Sequence, residues 1–141
     1  MLLKSNSLKN KKIVFWTITV LLSAFFILSG YMEVTKNPAT YPKTIRMGYP
    51  PYFITMLGIA KLIGSVIFLI PMFRKLREWV FAAFTFDVIF AFVSGYTIQS
   101  YADCTKAVVV FVVLMLAYWL FSNIERTRYR VKINNSSSNT I

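Results

Sequence analysis

Histidine is absent from this chain of 141 residues, and Cys104 is its only cysteine. That scarcity removes whole classes of chemistry: histidine-ligated haem, histidine-containing zinc sites, an intrachain disulfide, and Ser-His or Cys-His nucleophile pairs. Acids are also few, five against sixteen lysines and arginines. No two carboxylates stand at matched depth to form an acid–base dyad. No catalytic residue, metal ligand or intrinsic cofactor is therefore assigned, and the chain is not expected to be catalytic alone.

What the chain does have is apolar surface. It is 57% hydrophobic and 17% aromatic, more than a soluble core of this length needs, which points to a membrane. The net charge of +11 does not point to nucleic acid, because the bases flank apolar runs instead of forming a stripe along one face. Four such runs stand out: IVFWTITVLLSAFFILSGYM at 13–32, about 52–70, WVFAAFTFDVIFAFVSGYTI at 79–98, and KAVVVFVVLMLAYWLFSN at 106–123. Each has about the twenty residues needed to cross a bilayer as a helix. The valine-rich fourth run is too long for a strand, and an unpaired strand cannot exist in lipid. The first run is too long for a signal peptide and lacks a cleavage site, so it is read as retained.

The expectation is an all-α, four-helix transmembrane bundle over 13–123, with a basic arm at 1–12 and a disordered tail at 124–141. Residues 33–51, with four of the five prolines, form an ordered extracytoplasmic loop. The arm (Lys4, Lys9, Lys11, Lys12), the 71–78 turn (Arg74, Lys75, Arg77) and the tail (Arg126, Arg128, Arg130, Lys132) carry eleven bases. Lys36, Lys43, Arg46 and Lys106 oppose them. The positive-inside rule then puts both termini in the cytoplasm, in the manner of a bacterial inner-membrane protein.

Two charges lie inside the apolar runs, Lys61 in the second and Asp87 in the third. Lys61 is ten residues before Pro71, and Asp87 nine after Glu78, so both lie about 14–15 Å deep at helical rise. Antiparallel neighbours would set them level. Around Lys61 stand Gly58, Gly64 and Ser65; around Asp87 stand Ala83, Ala91 and Ser94. Small residues let membrane helices approach closely. Thr19, Ser23 and Gly30 make a similar stripe on the first helix, and Glu33 continues it at the outer end. The intramembrane polar site is therefore read as Lys61, Asp87, Ser65, Ser94, Thr19 and Ser23, with phenylalanine-, isoleucine- and valine-rich faces turned to lipid. A lone charge at mid-bilayer costs on the order of 3 kcal/mol, so pairing is expected. The pair is either structural glue or the lining of a proton, ion or ligand path. Glu33 is read as an interfacial charge near Lys36, Tyr49 and Tyr52 as belt aromatics, and all three alternatively as the bundle mouth. Cys104, in a short turn, is a free thiol or pairs between chains.

The runs MGYPPYFITMLGIAKLIGSVIFLIP and EWVFAAFTFDVIFAFVSG resemble the DoxX-like family of small membrane proteins. The resemblance spans about residues 13–122, with Gly48-Tyr49-Pro50, Gly58, Lys61, Gly64, Glu78-Trp79, Phe86-Asp87, Ala91 and Ser94 as its motif positions. It implies a four-helix membrane protein, some of whose relatives couple sulfur-compound oxidation to quinone or join membrane redox complexes. A distant branch assists receptor assembly. Gly95 stands where family members commonly carry a histidine, so no role of that histidine carries over. Three functions follow as expectations. The first is an accessory or small-ligand subunit of a membrane redox system, with quinone or lipid as ligand. The others are a small transporter or proton path on Lys61 and Asp87, and a non-catalytic assembly protein. Partners are the bilayer, a redox complex or further copies of the chain.

Overall fold

The computed structural model describes residues 2–72 and 74–138. Five helices follow one another: α1 (Leu2–Val34), α2 (Tyr41–Arg46), α3 (Pro51–Leu69), α4 (Arg74–Thr97) and α5 (Tyr101–Ser138). Within them lie four stretches long and apolar enough to cross a membrane: Lys9–Val34, Pro51–Leu69, Arg74–Thr97 and Tyr101–Thr127. No strand occurs among the described residues.

Local chemistry sets the helix ends. Pro51 opens α3 behind an extended Pro50, a position where the missing N–H is no loss. Ile70, pressed by Pro71, turns extended with ψ 113° and closes it. The other two ends use a left-handed residue that is not glycine. At the end of α1, Lys36 has φ 50°; its N–H bonds Glu33 O at 3.3 Å, and the next N–H, of Asn37, bonds Met32 O at 2.9 Å. Gln99 (φ 56°) ends α4 in the same way, with Gln99 N to Tyr96 O and Ser100 N to Gly95 O at 3.0 and 2.9 Å. Both are the paired bonds that satisfy the last carbonyls of a helix.

The expected tail at 124–141 differs from what is found. Helix α5 runs on to Ser138, because nothing after Gly95 breaks it: the chain beyond has neither proline nor glycine. Residues 139–141 lie outside the described residues. The basic arm is likewise the start of α1, Met1 aside. The loop expected at 33–51 begins only after Val34 and contains α2.

Around the bundle the order is α1, α3, α4, α5. The closest pairs are α1 with α3 and α4 with α5. Glycines explain the first pair: a Cβ on Gly58 would stand 2.8 Å from Gly30 O and 2.9 Å from Glu33 Cβ. The close approach expected between α3 and α4 is made elsewhere. Ala83 and Ala91 are exposed, and α4 packs instead through Val80, Phe81, Phe84 and Val88. Phenylalanine also fills the interior, not only the lipid face. Phe26 stacks on Phe84 with centroids 3.8 Å apart, and Phe68, Phe81, Phe121 and Phe15 continue the cluster edge-to-face or tilted. At the end of the bundle away from the 35–50 loop, Arg77 is buried among Phe15, Trp16 and Phe121, 5.5–5.8 Å from each ring centroid.

Candidate functional site

The lysine in the apolar run is 7% exposed. In a helix the side chain leans toward the N-terminus, which for α3 is the end facing the 35–50 loop. There the Lys61 ammonium meets three oxygens. It donates to Glu33 Oε1 at 2.5 Å and to Ser29 Oγ at 3.4 Å, and stands 3.3 Å from Asp87 Oδ1. One cation from α3 thus sits between carboxylates from α1 and α4. Glu33, read as an interfacial charge near Lys36 or as part of the bundle mouth, stands against Lys61 in the loop-end cleft, because the Gly30–Gly58 crossing brings the last turn of α1 onto α3.

The other expected site residues divide. Ser94 accepts or donates a 2.6 Å bond with the Tyr49 hydroxyl, and the Tyr49 ring stacks on Phe53. Thr19 and Ser65 are wholly buried but bond their own helices, at Phe15 O and Lys61 O. Ser23 is buried in the α1 stripe. None of these three lines the space around Lys61. Tyr52 is 69% exposed and belongs to the aromatic rim. Cys104 is a free thiol buried in the first turn of α5, directed toward Phe92 O at 3.7 Å.

That space is a cleft of about 240 Å³ opening at the loop end. Phe25, Phe26, Val88 and Val110 give it apolar walls, and Lys61, Glu33, Asp87 and Ser29 its polar floor. Lys43 of α2, Asp103 and Lys106 stand nearer the mouth, where Lys43 is paired with Asp103 and Lys106 approaches it at 3.9 Å. Ser100 donates to Asp103 at 2.5 Å and accepts from Lys43 at 3.4 Å. Sequence reasoning missed Ser29, Lys43, Ser100, Asp103 and Lys106. Only Ser29 carried a signal, four residues before Glu33 and so on its helical face. Among the described residues no cluster of acids and cysteine offers a metal-ligand set.

The family model described as DoxX-like matches residues 17–120. The chain belongs to the DoxX-like family. With its four spans, this makes it an integral membrane protein in contact with the lipid bilayer. No curated protein and no solved structure matches it. Gly95 of this DoxX-like chain packs against the start of α5: a Cβ there would stand 3.3 Å from Cys104 Sγ and 3.4 Å from Cys104 N.

Proposed function

We propose that this DoxX-like protein is a non-catalytic, small-ligand-binding subunit of a membrane redox system, and that its loop-end cleft holds a quinone-type head group. The observation that carries this reading is the buried Lys61 cluster at the floor of an apolar-walled cleft. Ligand sites are concave and mostly apolar, with a few converging polar groups. At about 240 Å³ the cleft suits a ring-sized head group better than a whole lipid. Ionisable groups inside a membrane are costly and mark function by default. The redox setting comes from the family resemblance.

A proton or ion path fits less well. Beneath the floor lie the Phe26–Phe84 stack and then Phe68, Phe81 and Phe121, all buried. A polar solute would have to cross that aromatic layer. Thr19 and Ser65 each donate to their own helix. The same proposal places the loop end outside the cytoplasm of a bacterial inner membrane, with both termini inside, on the strength of the base distribution.

The test is purification from native membranes in mild detergent, followed by mass spectrometry and absorbance of the lipid extract. Expected is a quinone recovered with the wild type and lost from Ala91→Trp, whose ring would occupy the cleft that Ala91 lines. Recovery of neither a quinone nor a redox partner contradicts the proposal.

A further inference from the structure

We propose that the end of the bundle carrying the chain termini binds anionic phospholipid, its phosphates held in a belt of bases from α1, α4 and α5. The hub of that end is Arg77 of α4, buried among Phe15 and Trp16 of α1 and Phe121 of α5. It ties three helices together and so fixes the relative depth of their bases. Lys11 and Lys12 lie four residues before Phe15 and Trp16, Lys75 two before Arg77, and Arg126 five after Phe121. At helical rise all four stand about 3–8 Å outside the Arg77 layer. Lys9 and Arg130 continue the same helices outward, to about 9–14 Å. The spans themselves begin at Lys9 and Arg74 and end at Thr127. The headgroup region is about 5–8 Å thick on each side of the hydrocarbon, so the belt lies at the depth of lipid phosphates.

All six side chains are exposed, and acids do not neutralise them. Of the five acids only Glu78 and Glu125 lie at this end, and Glu125 is paired with Arg74. The loop end differs, since Lys43 and Lys106 both stand at Asp103 there. Uncompensated bases at a bilayer surface attract anionic lipid. A zwitterionic lipid brings an ammonium that the belt repels, whereas phosphatidylglycerol brings none. The surface beneath suits a lipid better than a free anion. Trp79 lies one turn inward of Lys75 on the same face of α4, and Trp119 two turns inward of Arg126 on α5. Their indoles are 78% and 57% exposed. A base above an indole matches a phosphate above acyl chains.

The tryptophans report on this surface directly, since the chain has three and all of them, Trp16, Trp79 and Trp119, lie in this half of the bundle. The full chain is reconstituted in phosphatidylcholine vesicles with rising fractions of dibrominated phosphatidylglycerol or dibrominated phosphatidylcholine, and tryptophan quenching gives the relative lipid affinity. Expected is a preference for phosphatidylglycerol of about five-fold at low salt, the factor one base supplies, falling to about two-fold at high salt. Combining Lys11→Gln, Lys12→Gln, Lys75→Gln and Arg126→Gln should abolish the preference. Lys36→Gln with Arg46→Gln, at the loop end, should leave it unchanged. The salt series and the loop-end variant keep the test decisive if the quadruple variant does not fold. Equal quenching by the two lipids overturns the proposal, as does a preference that salt leaves intact or the loop-end variant removes. Relief of quenching by inorganic phosphate at constant ionic strength would mark a free-anion site and overturn the lipid assignment.

Discussion

At the scale of single residues Lys61 is the pivot, holding two carboxylates from two other helices. Taking one partner out of a buried ion pair leaves an uncompensated charge, a loss of about 3–5 kcal/mol. Lys61→Met strands both Glu33 and Asp87 and is expected to lie in that range by unfolding in mixed micelles. The double variant Lys61→Met with Glu33→Gln removes one stranded charge and should recover part of the loss. Additive losses would mean that the two side chains do not interact. The meeting of Lys61 with Asp87 was readable from depth alone, since both positions count from a helix end marked by charge or proline. Glu33 was readable only in part. Its helical face continues the Thr19–Ser23–Gly30 stripe, but its place near a span end suggested water, and the crossing of α1 over α3 is what brings it to the lysine. Lys43 and Asp103 were hidden for a related reason: their meeting depends on where a proline-rich loop folds back.

At the scale of elements, two glycines govern the site. Gly30 and Gly58 let α1 and α3 touch through backbone, and that contact delivers Glu33 and Ser29 to Lys61. Gly58→Val inserts atoms where even a Cβ stands 2.8–2.9 Å from α1. Overpacking of this kind costs about 1–3 kcal/mol; the variant should also lose ligand binding although it alters no polar group. Wild-type stability and binding in Gly58→Val would show that the crossing is not what builds the site. The four spans were legible because hydrocarbon thickness demands long apolar runs. Their ends were less so. Lys36 and Gln99 take the left-handed positions where glycine would have been the signal. The polar stretch after 123 resembles a disordered tail in composition, yet it contains no helix breaker and continues α5. The small residues of α4 misled as well, since Ala91 faces the cleft instead of a neighbouring helix.

At the scale of the whole molecule, the bundle has two unlike ends joined by an aromatic middle. An even number of spans returns the chain to the side on which it began. The orientation proposed above, from the eleven bases at the end carrying the termini, puts that side in the cytoplasm. Reporter fusions at residue 1 and residue 141 should both read as cytoplasmic, and a reporter inserted after Lys36 as extracytoplasmic. Opposite signals from the two termini would break the four-span arrangement. Arg77 belongs to the terminal end, where it is held among Phe15, Trp16 and Phe121. A ligand held in the loop-end cleft would be found by irradiating the protein in nanodiscs with a photoreactive alkyl benzoquinone or its hydroquinone and mapping the labelled peptides. Label concentrated around Phe25–Ser29, Asp87–Ala91 and Val110, and lost in Ala91→Trp, is the result predicted. Label spread over lipid-facing positions such as Trp79 and Trp119, unchanged by Ala91→Trp, would contradict it.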